Sequence, residues 1–427
     1  MRKSLFVLVA AMTIAMAVPA IAELQNVEVG GDIRIRGNWY SQVDGSSGFS
    51  SISFDDDDPD AFYIEQRTKL NVKADFTDDV TAFIELDSYS NWGDDNFRRL
   101  DAADSEYGSG PSSRIIPTSS ATSGTPVNLY QAYIEMREAW GYPISIRIGR
   151  SEMQHGDEFL VGNQDSSSGF IGLSFDGVWA TYTHDQFWLQ AFWTRIAQNA
   201  NGPARWEESG DVDFMGLYGS YTGIEDMTID AYYYYLQQSA TDTNAFAEAS
   251  KLHTIGARFA GNKAQFDWAL NGAYQLGEAG VTSSTDFDAF GVQGAAGYTF
   301  DIEMQPRVFL QGGYYDGGDD DLDPQAFRRL FSDHEYSEFL DSGDLSNVWF
   351  VGGGASAQVT ESIGLSAVAN YFQAVEDFGA SDDDLGIEIG LYMTYAYSED
   401  RTFSAGCAHL FVGDGLDSDN PGILLNN

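Results

Sequence analysis

The sequence holds a single cysteine, Cys407, and only ten prolines in 427 residues. One thiol closes no intrachain disulfide, so stability has to come from burial and backbone pairing. Cations are scarce as well: 22 Lys and Arg stand against 65 Asp and Glu, a formal charge of -43. That balance excludes a nucleic-acid partner, whose phosphates select a basic surface. It suits solvated acidic loops at a cell surface. Only five histidines occur, His155, His184, His253, His334 and His409, none paired at zinc spacing, and there is no Gly-x-Ser-x-Gly elbow. Carboxylate pairs are too common at this acidity to mark general acid–base work. The expectation is therefore no enzyme, no cofactor and no metal. Past the N-terminus no apolar run approaches the roughly 20 residues of a spanning helix, so a membrane role requires a closed β-barrel.

What is present fits that requirement. The start, with Arg2 and Lys3, an apolar run Leu5 to Val18 and Ala20-Ile21-Ala22, reads as a secretory leader (residues 1–22) cleaved before Glu23. Its removal takes the formal charge to -45. The remaining 23–427 is expected to be one outer-membrane β-barrel domain. Gly (45), Phe (28) and Tyr (23) are abundant, as in strands that curve and anchor at two interfaces. Helical periodicity never lasts beyond a couple of turns, and no fixed repeat suggests a propeller or solenoid.

The stretch Val127 to Gly162 shows the unit most plainly. Tyr130, Ala132, Ile134 and Met136 alternate with Gln131, Tyr133, Glu135 and Arg137; Ile144, Ile146 and Ile148 alternate with Ser145, Arg147 and Gly149. A period of two gives one apolar and one polar face. Trp140 and Tyr142 in the link suit a membrane–water boundary. Before this hairpin come strands over Val27–Tyr40, Phe62–Asp75 and from Val80, then an aperiodic stretch from Ser88 to Thr125.

After it, strands pair across short turns. They run Asp176–His184 with Gln186–Ile196, Val212–Thr222 with Met227–Gln237, and Leu252–Gly261 with Ala264–Leu276. Phe290–Phe300 then pairs with Arg307–Tyr315, Val348–Thr360 with Gly364–Ala374, and Leu385–Tyr397 with Thr402–Val412. The alternate links are long and acidic, notably Asp316–Asp344 and Asp377–Asp384. The fold class predicted is all-β: a transmembrane antiparallel β-barrel of 16–18 strands, with short periplasmic turns and long acidic extracellular loops. Seventeen strands are countable, and a single-chain bacterial barrel takes an even number, so eighteen is preferred. The tail Gly422 to Asn427 would supply the last.

On the polar parity of the first five strands lie Arg34, Arg36, Arg67, Lys69, Lys73, Arg137 and Arg147, with Glu85 and Glu135 among the acids. An Arg or Lys facing lipid near the midplane costs about 2–4 kcal/mol, so these residues are expected to line a lumen. They form either a cationic rail for carboxylates or phosphates, as charged rings in pores do, or simply internal pairs. Arg150, Glu152, His155, Asp157 and Glu158 are expected to fold inward as a constriction, or else to form a structural loop. Acidic runs such as Asp319-Asp320-Asp321 miss the spacing of a Ca²⁺ loop and read as solvated surface.

Three stretches carry a resemblance: Ile146-Arg147-Ile148-Gly149-Arg150 with Glu152, Gly156-Asp157-Glu158 and Leu160-Val161-Gly162; the opening strand Gly30 to Tyr40; and Tyr63 to Asp87. Together they resemble the alginate-export family of outer-membrane porins. The resemblance implies an eighteen-stranded barrel with a charged lumen that passes an anionic polysaccharide such as alginate; related members act as general or selective porins. The expected function is passive passage of hydrophilic, anionic solutes through the outer membrane of a Gram-negative cell. Lipid and lipopolysaccharide are the expected surroundings. A barrel-embedded enzyme, which predicts turnover lost with one histidine, is the alternative. So is an adhesive or structural outer-membrane protein, which predicts surface binding lost when loops are trimmed.

Overall fold

Alternating apolar and polar side chains make each strand two-faced, and a chain of such strands can bury one face only by curling on itself. The computed structural model describes residues 25–41, 61–92, 127–165, 170–198, 211–239, 249–278, 286–318, 326–340, 346–376 and 382–416. The leader, the Asp55–Asp58 run, Asp319–Asp321 and the tail Gly422–Asn427 lie outside them. The strands are β1 (Asn26–Tyr40), β2 (Ala61–Thr77), β3 (Val80–Asn91), β4 (Asn128–Met136), β5 (Ile144–Ser151) and β6 (Phe175–His184). Next come β7 (Phe187–Ala197), β8 (Val212–Ile224), β9 (Met227–Gln238), β10 (Ser250–Lys263), β11 (Phe266–Glu278) and β12 (Asp286–Thr299). β13 (Arg307–Tyr315), β14 (Val348–Gln358), β15 (Ile363–Ala374), β16 (Asp384–Ser398) and β17 (Arg401–Val412) complete the series.

Every strand pairs antiparallel with the next, giving one 17-stranded sheet. Among the described residues no ladder joins β17 to β1. The expected eighteenth strand falls on the tail outside them. β3 continues to Asn91, four residues into the stretch read from sequence as irregular.

The outward face is apolar along most of its height: Val29, Leu70, Ile84, Ile255, Leu270, Leu310, Val351 and Leu391 are all exposed. Near the short turns it becomes aromatic, with Trp140, Tyr142, Tyr221, Phe266, Tyr397 and Phe403 exposed. An apolar band edged by aromatic rings is the exterior of a membrane barrel. At the opposite ends of β5 to β8 a charged row ends the band: Arg150, Asp176, Arg195 and Asp213 are successive cross-strand partners.

The inward face divides in two. On β1 to β5 it is charged, as the parity of those strands predicts. Between β6 and β15 it carries buried aromatics, among them Phe175, Phe192, Phe214, Tyr234, Tyr315, Phe350 and Phe372. The exterior face of these later strands is apolar, and the inward one sets these rings beside buried polar groups such as Asp230, Asn271, Gln275, Asn370 and Glu388, toward protein packed inside.

Candidate functional site

That internal protein is two loop segments. Residues 152–165 follow β5 and residues 326–340 follow the β13 link; they meet inside the curl of the sheet. Val161 and Phe331 form a parallel bridge. Gly162 N–H donates to the Phe331 carbonyl (2.7 Å) and Phe331 N–H to the Leu160 carbonyl (2.9 Å). Ser332 Oγ donates to the Glu158 carbonyl at 3.1 Å. Phe159, Leu160, Val161 and Phe327 are buried against the aromatic walls. Phe331 lies edge-on to Phe175 and Phe214, with centroids 5.2 and 5.0 Å apart. Gln275 Nε2 holds the Arg328 carbonyl (2.7 Å), Asn370 Nδ2 the Tyr336 carbonyl (2.7 Å), and Glu388 accepts from Ser337 (2.5 Å). Contacts from β2 round to β16 make this pair of loops a plug.

The charged wall meets the plug at one residue, Asp165. Its carboxylate lies 2.6 Å from Arg67 Nη1, 2.8 Å from Arg34 Nη1 and 2.7 Å from Lys69 Nζ. Arg67 has no exposed surface and also pairs with Asp87 at 2.7 Å. Burial works against ionisation of Asp165, but the hydrogen bond from Lys69 and the charges of Arg67, Lys69 and Arg34 outweigh it and hold the carboxyl below the usual range. Arg36 pairs with Glu65 at 2.6 Å, a carboxylate that also accepts from Asn38 (2.6 Å) and Tyr89 (2.7 Å). Lys73 reaches Glu28 (3.6 Å) and Asp75 (3.7 Å). Glu85 accepts from Asn71 and Gln131, both at 3.1 Å. Arg147 fastens on Glu135 through Nη2 (2.6 Å) and Nε (2.9 Å), and Arg137 donates to Thr81 Oγ1 (3.0 Å). These residues are brought together on one wall.

Arg150 is not among them. Counting by two from Arg147 reaches Gly149 and Ser151 on the inward face, which leaves Arg150 on the outward one. There it grips Asp176 with two hydrogen bonds, 2.6 and 2.8 Å, both side chains being more than a third exposed. This corrects the sequence expectation of a lumen position. A second correction concerns Tyr130, grouped by period with the apolar face. Leu86 pairs with Leu129 and Glu85 with Gln131, so Tyr130 is the extra residue of a β-bulge and turns inward. Its ring lies under Arg67 (4.9 Å) and Lys69 (4.8 Å). The loop comes close here at Gly172, whose φ of +79° and lack of Cβ both matter: a Cβ would sit 2.5 Å from Arg67 Nη2 and from the Tyr130 hydroxyl.

The four constriction candidates all lie inside. Glu152 Oε2 accepts from Asn163 at 3.2 Å, and Oε1 is 3.6 Å from Lys69. Asp157 accepts from Asn271 at 2.8 Å and lies 3.5 Å from Arg258. His155 is stacked on Tyr218 (centroids 4.4 Å), with Nδ1 2.8 Å from the Tyr234 hydroxyl and Nε2 2.9 Å from Gln190 Oε1. Burial drives its pKa down to about 4, although Gln190 and Asp230 favour the proton. Glu158 goes the other way. Burial, then the neighbouring Asp333 carboxylate, then Asp157 and Glu152 raise it to about 7. The sequence pointed to the first loop and missed the second, along with Asp165. On the turn side of the plug, a cavity of about 380 Å³ is bounded by Tyr133, Glu135, Arg147, Glu152, Trp179 and Gln190.

A curled antiparallel sheet, greasy outside and charged along one inner wall, with loops folded into its interior, defines an outer-membrane channel of the porin class. The chain belongs to the Alginate export family, whose model matches residues 56–422. Solved porins share the fold. OprD of Pseudomonas aeruginosa is 11% identical at a TM-score of 0.57, covering 94% of this chain and 92% of its own. OccAB4 of Acinetobacter baumannii is 12% identical at 0.55, with coverage of 92% and 96%. OccK2 (OpdF) of Pseudomonas aeruginosa, solved in complex with glucuronate, is 11% identical at 0.54, with coverage of 91% and 94%. No curated protein sequence matches.

Proposed function

We propose that this channel passes hydrophilic solutes bearing carboxylates, uronates or an acidic polysaccharide such as alginate, passively along the wall of β1 to β5. The observation that carries the reading is the inward convergence of Arg34, Arg67 and Lys69 in a chain with only 22 cations to place. A net charge of -43 repels anions at long range, so cations inside the sheet have a local task. The glucuronate bound by one porin of the same fold is the same chemistry. The outward apolar band and its aromatic edge meet lipid, and the row Arg150, Asp176, Arg195 and Asp213 sits where hydrocarbon gives way to lipopolysaccharide headgroups. The leader would bring the chain to that membrane.

Flux into proteoliposomes tests the reading. Glucuronate is expected to enter faster than glucose, a neutral sugar of similar size, and the difference is expected to shrink as salt screens the wall. Equal rates for the two sugars would count against it.

A further inference from the structure

Asp165 sits on the wall as a dissolved carboxylate would. One oxygen is shared by Arg34 and Arg67, and the other meets Lys69. Arg34 and Arg67 are directly opposed in the β1–β2 register, an arrangement like charges resist unless an anion lies between them. We propose that Arg34, Arg67 and Lys69 form the channel's binding site for a solute carboxylate, that Asp165 fills it as an internal stand-in, and that exchange between the two frees this side of the plug. This rests on the anion reading above and adds to it a site and a trigger.

Charge at the wall supports it. Of the carboxylates paired with Arg34, Arg67 and Lys69, only Asp32 and Asp87 come from the strands; Asp165 and Glu152 come from the loop. With the loop away, the three cations keep only these two strand partners and Lys69 keeps none, so the site attracts an anion. Access supports it too. Arg34 is 39% exposed and Asp165 14%, so a solute can reach the site from water before the loop moves. Anchorage is lopsided in the way a hinged gate requires. Toward β1 and β2 the loop is held by ion pairs, whereas toward β6 to β14 buried rings such as Phe159 and Phe331 add packing to the polar contacts of His155 and Asp157. Ion pairs exchange charge for charge without leaving a bare cation; packed rings have no such substitute in a polar solute.

The test uses the full-length protein in planar bilayers and in detergent, with glucuronate and glucose as probes. In the wild type, glucuronate is expected to raise open probability to a plateau and glucose to leave it unchanged. Asp165→Asn keeps the shape and removes the charge. It is expected to raise the solute-free open fraction about tenfold, and to tighten glucuronate binding by calorimetry about tenfold, because the internal competitor is gone. Asp165→Glu retains a competing charge and is expected to keep glucuronate-dependent opening. Heat-resistant migration on gels establishes that each barrel is intact; should Asp165→Asn fail it, the response of wild type and Asp165→Glu to glucuronate decides. Unchanged affinity in Asp165→Asn, or wild-type gating indifferent to glucuronate, overturns the proposal. If glucuronate still outruns glucose in flux, that failure belongs to the latch alone. If it does not, the underlying anion reading has failed first.

Discussion

Replacing Glu158 with Gln is expected to turn a channel with little pH response between about pH 4.5 and 6.5 into one that opens as the medium is acidified. Two groups of the plug oppose each other in the wild type. Glu158 has its docked pKa raised to about 7 from an ordinary 4.5, so between those values docking takes up a proton and weakens as pH rises. His155 has its docked pKa lowered to about 4 from 6.5, so between those values release takes up a proton and docking weakens as pH falls. Across the shared window the two slopes cancel. Above it the Glu158 slope remains, and docking loosens toward pH 7. Gln stands in for the protonated carboxyl beside Asp333 and removes one slope. The open-to-closed ratio of Glu158→Gln should then climb as pH drops from 6.5 to 4, by at most about tenfold per unit because one proton is involved. Open probability in bilayers at stepped pH measures this. Superimposable pH curves for the two proteins would remove these two groups from the gate.

Phe159→Ala is expected to open the plug without weakening the barrel. The ring is buried between Tyr315 and Phe327, with centroids 6.3 and 6.0 Å away, and belongs to a loop, not a strand. Truncating a buried Phe costs about 3–5 kcal/mol. Because the strands keep all their ladder hydrogen bonds, that cost falls on docking of the loop, and about 3 kcal/mol is two decades in the closed-to-open ratio. Single-channel open probability should rise accordingly, while the temperature at which the barrel loses its heat-resistant gel mobility stays put. A lowered barrel transition with an unchanged open probability would mean the ring braces the wall and does not seat the plug.

The strand count, the outward apolar face and the inward placement of Arg34, Arg67, Lys69 and Arg147 could all be read from a period of two, because each depends only on residues within a few positions. Arg150 could have been placed by the same rule, continued one residue further. Tyr130 could not. A bulge moves a side chain to the other face with no change in composition, and its cause, the approach of Gly172 and the Arg67–Lys69 pair, is remote in sequence. The aromatic inner wall left a trace in Tyr232 to Tyr235, where rings occupy both parities and so forbid a wet face. Asp165 and the segment 326–340 left none. An irregular loop has no period, and Asp165 finds its partners 96 to 131 residues away. The long acidic link after β13 reads as surface until its Phe327 and Phe331 are seen to need cover.

The central claim is that cations on the inner faces of β1 and β2 select what passes. Reversal potential across a bilayer under a salt gradient reads this directly. For wild type it should lie on the anion-selective side, and for Arg34→Ala combined with Lys69→Ala it should move toward or past zero, since both side chains are partly or closely bound to a loop and neither is the fully buried Arg67. A wild-type reversal potential of cation sign, or one that the double substitution leaves in place, would contradict the account.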